Sequence, residues 1–87
     1  MYEWDPEKAR ANHRKHGVAF PDATGALEDS AALTTEDRHA GEERFVTIGI
    51  DYLGRVVTVA WTWRGRKVRL ISARLASPRE RRQYHEG

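Results

Sequence analysis

The chain has 87 residues, 39% hydrophobic and 32% charged, with no cysteine and a formal net charge of +2. That is enough for one small domain, residues 1–87, with a single core. Its apolar runs are too short to cross a bilayer, and without cysteine it has no disulfide, thiolate nucleophile or zinc–thiolate site.

The opening Met1-Tyr2-Glu3-Trp4-Asp5 lacks a basic segment followed by an apolar one, so a cytoplasmic protein is expected. Tyr2-Glu3-Trp4 is a short alternating piece ahead of a helix start. Asp5 is a good N-cap, Pro6 suits the first helical position, and Glu7 adds negative charge where the helix dipole favours it. The helix should end near His16, with Gly17 as its left-handed cap and Lys15 and His16 in the last turn. Lys8, Arg10, His13, Arg14, Lys15 and His16 make its surface basic, which leaves Ala9, Ala11 and part of Asn12 for packing. Phe20, Ala23, Thr24 and Leu27 then recur at helical spacing, with Pro21 near the start, Gly25 as a weakening residue and Glu28-Asp29-Ser30 as the close.

Residues Ala31 to Thr35 read as a short strand, and the polar run from Glu36 to Glu43 as a loop. From Arg44 onward the pattern is β. Phe45 to Ile50 and Arg55 to Trp63 are rich in branched and aromatic residues, joined by a hairpin at Asp51 to Gly54. A second hairpin at Arg64-Gly65-Arg66 leads to a strand from Val68, in which Val68, Leu70 and Ser72 alternate with Arg69, Ile71 and Ala73. Val57, Val59, Trp61 and Trp63 share one face and Val46, Ile48 and Ile50 share one face, and the first two helices are expected to cover that side. Ser77-Pro78-Arg79-Glu80 is a capping box with Pro at the first helical position, opening a short helix that carries Arg79, Arg81, Arg82 and Tyr84. The expected fold is therefore α+β: two N-terminal helices packed on an antiparallel three- to five-stranded sheet, with a C-terminal helix.

Charge is unevenly spread. Residues 1–54 hold six Lys/Arg against eleven Asp/Glu, and residues 55–87 hold nine against two. The second part suits a polyanion, or pairs with the first part once folded. Metal chemistry is not supported, because His13, His16, His39 and His85 lack ligand spacing, and no cofactor is expected. Gly49, Gly54 and Gly65 do not form a phosphate loop, and no serine triad has a local signature. What remains is a basic surface with aromatic interleaving. Arg64, Arg66, Lys67, Arg69, Arg74, Arg79, Arg81 and Arg82 offer forks for phosphates, and Tyr84 and the edge of Trp63 offer stacking. Cutting RNA without a metal asks for little more. The ribose 2′-hydroxyl is the nucleophile, and a protein must orient it, stabilise the anionic phosphorane and move protons.

Each of these residues also has a structural alternative. Arg74 can pair with a carboxylate, Glu80 can serve the capping box, Tyr84 can lie under the sheet, Arg69 can face solvent, and His16 can cap its helix. A non-catalytic RNA- or ribosome-binding module and a protein-interaction domain for an acidic peptide are the alternative functions.

Longer words of the sequence carry a resemblance. Tyr2-Glu3-Trp4-Asp5-Pro6-Glu7-Lys8-Ala9, Asn12, Lys15-His16-Gly17-Val18, Phe20, Ala23, Glu42-Glu43-Arg44, Ile48-Gly49, Gly54-Arg55, Ile71-Ser72-Ala73-Arg74, Glu80-Arg81 and Tyr84 occur in this order over nearly the whole chain. In this the chain resembles the BrnT toxin family. The resemblance implies a small bacterial ribonuclease with a RelE-like fold, the toxin of a type II toxin–antitoxin system, which arrests translation. It also implies a BrnA antitoxin with a ribbon-helix-helix DNA-binding part, so that operator DNA is met only through the antitoxin. Carried over by position, Lys15, His16, Arg74, Glu80, Arg81 and Tyr84 are the matching polar residues. The expected catalytic set is Arg74, Glu80, Arg81 and Tyr84, and the expected RNA contacts are Lys15, His16, Arg64, Arg69, Arg79 and Arg82. Leu27 stands where the family has Phe, Ser30 where Asp-Pro is usual, and His13 at a position often apolar; these bear on packing more than on the basic corner.

Overall fold

Local chemistry sets the first helix. In the computed structural model, which describes residues 1–39 and 41–87, helix α1 spans Pro6–His16. Its N-cap Asp5 accepts a hydrogen bond from the Glu7 amide, and Gly17 closes it at φ 72°, donating to the His13 carbonyl. Of the expected packing residues Ala9 is half-buried and Ala11 is exposed, so the helix is seated chiefly by Asn12. Helix α2 (Phe20–Glu28) buries Phe20, Ala23, Thr24, Gly25 and Ala26. Gly25 has a packing reason to be there: a Cβ on it would lie 2.7 Å from the backbone nitrogen of Tyr52. Gly49 has the matching reason, since a Cβ there would lie 2.7 Å from the Ala26 carbonyl oxygen. These two contacts let α2 sit close on the sheet.

Five strands form one sheet. The first, β1 (Tyr2–Glu3), precedes α1; then come β2 (Leu33–His39), β3 (Glu42–Ile50), β4 (Val56–Arg64) and β5 (Lys67–Leu75), in spatial order β1-β5-β4-β3-β2. Consecutive strands from β2 to β5 are antiparallel, as expected, but β1 pairs parallel to β5 and makes the sheet mixed. Helix α3 (Pro78–Glu86) follows β5.

Three expectations are corrected. The polar run after Thr35 is not a loop, because residues through His39 pair in register with β3, from Leu33 opposite Ile48 to His39 opposite Glu42. An edge strand that extends past the core has both faces in water and needs no apolar alternation. Its backbone ladder holds it, with Arg38 and Glu43 4.0 Å apart across the pair. Ala40, part of the expected loop, lies outside the described residues. Second, Val46, Ile48 and Ile50 do not lie under the first two helices. The β3–β4 register pairs Thr47 with Val59 and Gly49 with Val57, so the helices cover those residues, and Ile48, opposite Thr58, faces the other way. Third, β5 does not alternate strictly. Ala60 pairs with Ser72 but Trp61 with Leu70, which leaves Ile71 as an extra residue in a bulge.

The core therefore lies on one side of the sheet. Val18, Phe20, Ala23, Ala26, Val57, Val59, Leu70 and Ala73 fill it, with Trp4 and Trp61 packed against them. Among the described residues, the other side carries only α3, near the end where β5 runs out.

Candidate functional site

The strand-to-helix corner places its side chains through two local rules. Cross-strand pairing sets Arg74 opposite Thr58 on the sheet face away from α1 and α2. The capping box then fixes Glu80: the Ser77 hydroxyl accepts from the Glu80 amide at 3.1 Å, and the Glu80 carboxylate accepts from the Ser77 amide at 2.8 Å. That carboxylate also accepts from the Thr58 hydroxyl at 3.0 Å and from both terminal nitrogens of Arg74, at 2.8 and 3.0 Å. The result is a two-pronged guanidinium–carboxylate pair, the strong form of such contacts. The Arg74 side chain remains 45% exposed, with N–H groups left over for a ligand.

The same geometry sets the protonation of Glu80. Arg74 first, then the Ser77 amide and the Thr58 hydroxyl, hold its carboxyl at about 2, against an ordinary value of 4.5 and despite partial burial. Glu80 in turn raises the pKa of Arg74 further. A carboxylate so engaged is a poor proton acceptor near neutrality, and its two bonds hold the Arg74 guanidinium in one orientation. A stability effect follows. As pH falls the unfolded chain takes up the Glu80 proton first, so the stability this group contributes is complete above about 4.5 and is lost on the way down to about 2. Urea titrations across that range should show Glu80→Gln with a flatter decline than the parent chain; parallel curves would contradict the assignment.

Tyr84 points elsewhere. Its hydroxyl donates to Asp29 at 2.6 Å, and Asp29 also accepts from the amides of Ile50 and Ala31, both at 2.9 Å. These bonds lower the Asp29 pKa, the tyrosine hydroxyl foremost, and the bond to Asp29 raises that of Tyr84. Tyr84 thus ties the last turn of α3 to the turn before β2, and its proton is committed there. Asp29 was not singled out by sequence reasoning; the only signal was its place after α2, where an Asx side chain commonly holds nearby amides.

Arg81 donates to the Ala76 carbonyl at 3.0 Å and braces the same corner. Arg79 and Arg82 stand exposed on α3 and, among the described residues, form no ion pair. Lys15 and His16 lie on the last turn of α1 in a shallow cleft against Ile71. Asn12, one turn earlier, bonds both the N–H and the C=O of Ala73, the residue before Arg74. Arg64 and Arg69 are not at this corner. They line a separate cleft toward the other end of β5, where Arg69 also pairs with Glu3 at 2.8 Å.

Between α3 and the β2–β3 hairpin runs a groove of about 690 Å³ floored by Leu33, Val46 and Ile48, with Glu80 and Gln83 on its rim. Among the described residues no three His, Cys, Asp or Glu side chains come together to hold a metal ion, and no helix is long and apolar enough to cross a membrane.

The family model described as "Ribonuclease toxin, BrnT, of type II toxin-antitoxin system" matches residues 4–80. Arg81, Arg82 and Tyr84 therefore lie beyond the matched span. The chain is also similar to the crystal structure of the Brucella abortus ribonuclease toxin BrnT, with a TM-score of 0.69 and 28% identity, covering 88% of this chain and 97% of that one. No curated protein matches.

Proposed function

The chain belongs to the BrnT family of ribonuclease toxins of type II toxin–antitoxin systems, and from that membership we propose a metal-independent endoribonuclease that arrests translation in the cytoplasm. Family membership gives it an RNA substrate and a cognate antitoxin. On this reading the fold is RelE-like, the antitoxin is of the ribbon-helix-helix type, and operator DNA is met only through it. The observation that carries the mechanism is the Arg74–Glu80 fork on the open sheet face.

The substrate's own 2′-hydroxyl attacks the adjacent phosphate and gives its proton to solvent, and the bond to the next 5′-oxygen breaks, that oxygen taking up a proton to leave as a hydroxyl while the upstream fragment keeps a 2′,3′-cyclic phosphate. Charge builds on the phosphorane oxygens at that moment. Arg74 meets it with the N–H groups that Glu80 leaves free, already oriented and with little reorganisation. Arg79, Arg81 and Arg82 add positive potential along α3 and track the neighbouring phosphates. The apolar groove beside Glu80 takes a base of the substrate. Lys15 and His16, on the last turn of α1, contact the RNA backbone beside this corner.

Purified, antitoxin-free protein is expected to cut single-stranded RNA in the presence of EDTA and to stop when antitoxin is added. Cleavage that requires an added divalent metal contradicts the metal-independent mechanism. RNA that is bound in a salt-sensitive way but left intact points instead to a non-catalytic binding module.

A further inference from the structure

At the end of the sheet remote from α3 the two faces carry different chemistry. Phe45 pairs with Trp61, and alternation along β4 puts Trp63 on the same face as Val57, Val59 and Trp61, with Val68 as its partner on β5. That is the face α1 and α2 cover, but the helices stop short of its far end. Val57 and Val59 are fully buried, Phe45, Trp61 and Val68 are half-buried, and Trp63 is 53% exposed. Arg44, Arg64 and Arg69 alternate onto the opposite face, the one that holds Arg74. The stacking role that the sequence offers for Trp63 is thereby corrected: its indole and those guanidiniums lie on opposite sides of the sheet.

The uncovered end is a rigid aromatic shelf. Trp63 meets Trp61 edge-on at 5.4 Å, Trp61 stacks on Phe45 at 4.6 Å, and the Trp61 indole N–H donates to the Thr47 hydroxyl at 2.9 Å. A lone exposed tryptophan means little, but rings in mutual contact make a continuous apolar surface. Carboxylates border it. Glu36 lies opposite Phe45, and Glu43, two residues before Phe45, shares the face. Both are 4.0 Å from Arg38, their only cationic partner among the described residues, and the neighbouring Glu43 pushes the Glu36 pKa up. Two carboxylates that share one arginine leave this border negative.

Charge decides what can cover the shelf. Glu36 and Glu43 repel a phosphate backbone. A second copy of the chain, docking the same patch on itself, would bring like carboxylates together. A Lys or Arg is attracted twice, by the carboxylates and by the face of the indole, the best of the aromatic rings for holding a cation. We propose that the cognate antitoxin docks on this shelf, with an apolar side chain seated on Trp61 and Trp63 and a neighbouring Lys or Arg meeting Glu36 and Glu43. This docking rests on membership of the toxin–antitoxin family and is independent of how RNA is cut. Because the shelf and Arg74 are on opposite faces, the contact anchors the antitoxin without itself covering Arg74.

Isothermal titration of the antitoxin-free chain with the purified cognate antitoxin tests this. Trp63→Ala should weaken binding at least about tenfold, as loss of an aromatic anchor does at a protein interface. RNA cleavage by that variant should match the parent. Glu36→Gln combined with Glu43→Gln leaves the aromatic packing untouched, and it should weaken binding and flatten its dependence on salt. Urea midpoints confirm that the variants are folded. Unchanged antitoxin affinity in folded Trp63→Ala, or an unchanged salt dependence in the double Gln variant, overturns the docking site. Loss of RNA binding with antitoxin binding intact makes RNA the occupant and overturns it too. So does a parent chain that sediments as a dimer and becomes a monomer with Trp63→Ala, since a second copy then covers the shelf. A parent chain that does not bind the antitoxin overturns the site together with the antitoxin assignment. Antitoxin binding that depends on Trp63, in a protein that leaves RNA intact, upholds the site and overturns the ribonuclease mechanism instead.

Discussion

Arg74→Ala is expected to lower kcat/KM for RNA cleavage by at least about tenfold, roughly 1.4 kcal/mol of transition-state stabilisation, in a protein that remains folded. The fold should survive because Arg74 is partly exposed and because Glu80 keeps its bonds to the Ser77 amide and the Thr58 hydroxyl once the guanidinium is gone. The helix cap does not depend on Arg74. What is lost is a charge held in one orientation by two parallel bonds. Arg74→Lys restores the charge without the fork and should recover only part of the rate. Glu80→Gln can retain the cap while weakening the fork, so its loss should appear in kcat with little change in melting temperature. Parent-level kcat/KM in folded Arg74→Ala would remove this residue from the mechanism.

The largest effect on stability is expected from Asn12→Ala. Asn12 is 8% exposed, and its amide donates to the carbonyls of Val18 and Ala73, at 3.0 and 2.8 Å, and accepts from the Ala73 amide at 3.1 Å. It occupies the free edge of β5 as a strand would. Removing it leaves buried backbone groups without partners, at about 1–3 kcal/mol for each group that water cannot reach. We expect a loss of about 3 kcal/mol by urea denaturation. In a domain of this size that corresponds to roughly 12–24 °C in melting temperature. Asn12→Asp should be at least as damaging, since it places a carboxylate against two carbonyl oxygens. A loss under about 1 kcal/mol would show that water or a shift of α1 replaces these bonds.

These two residues also show what can and cannot be read from a sequence. Caps are local, and so Asp5-Pro6 and Gly17 for α1, and Ser77 to Glu80 for α3, could be placed from their own neighbours. The antiparallel order from β3 to β5 followed from short turns. The parallel β1, by contrast, depends on a contact between residues 2 and 68, which no local pattern encodes. The polar length of β2 has the composition of a loop because an edge strand outside the core lacks the alternation that marks a buried one. The bulge at Ile71 was invisible for a related reason: Arg69 and Arg74 fit strict alternation equally well on opposite faces.

At the candidate site the sequence supplies the residue types and the structure separates their positions. Arg74 and Glu80 are close in sequence and meet directly. Tyr84, only four residues on from Glu80, turns to Asp29 instead. Asn12 read as partly available for packing, because a burial that depends on matching one strand-edge residue 61 positions away leaves no periodic trace.

The central claim is that this corner cuts RNA by means of the substrate's own 2′-hydroxyl. Mass spectrometry of the products formed in EDTA tests it most directly, using an oligonucleotide and its counterpart with a single 2′-deoxyribose at the mapped cut. The account predicts a 2′,3′-cyclic phosphate, or the monophosphate it hydrolyses to, on the upstream fragment, and no cut at the deoxy position. A 5′-phosphate on the downstream fragment, or equal cutting of the deoxy substrate, would contradict it.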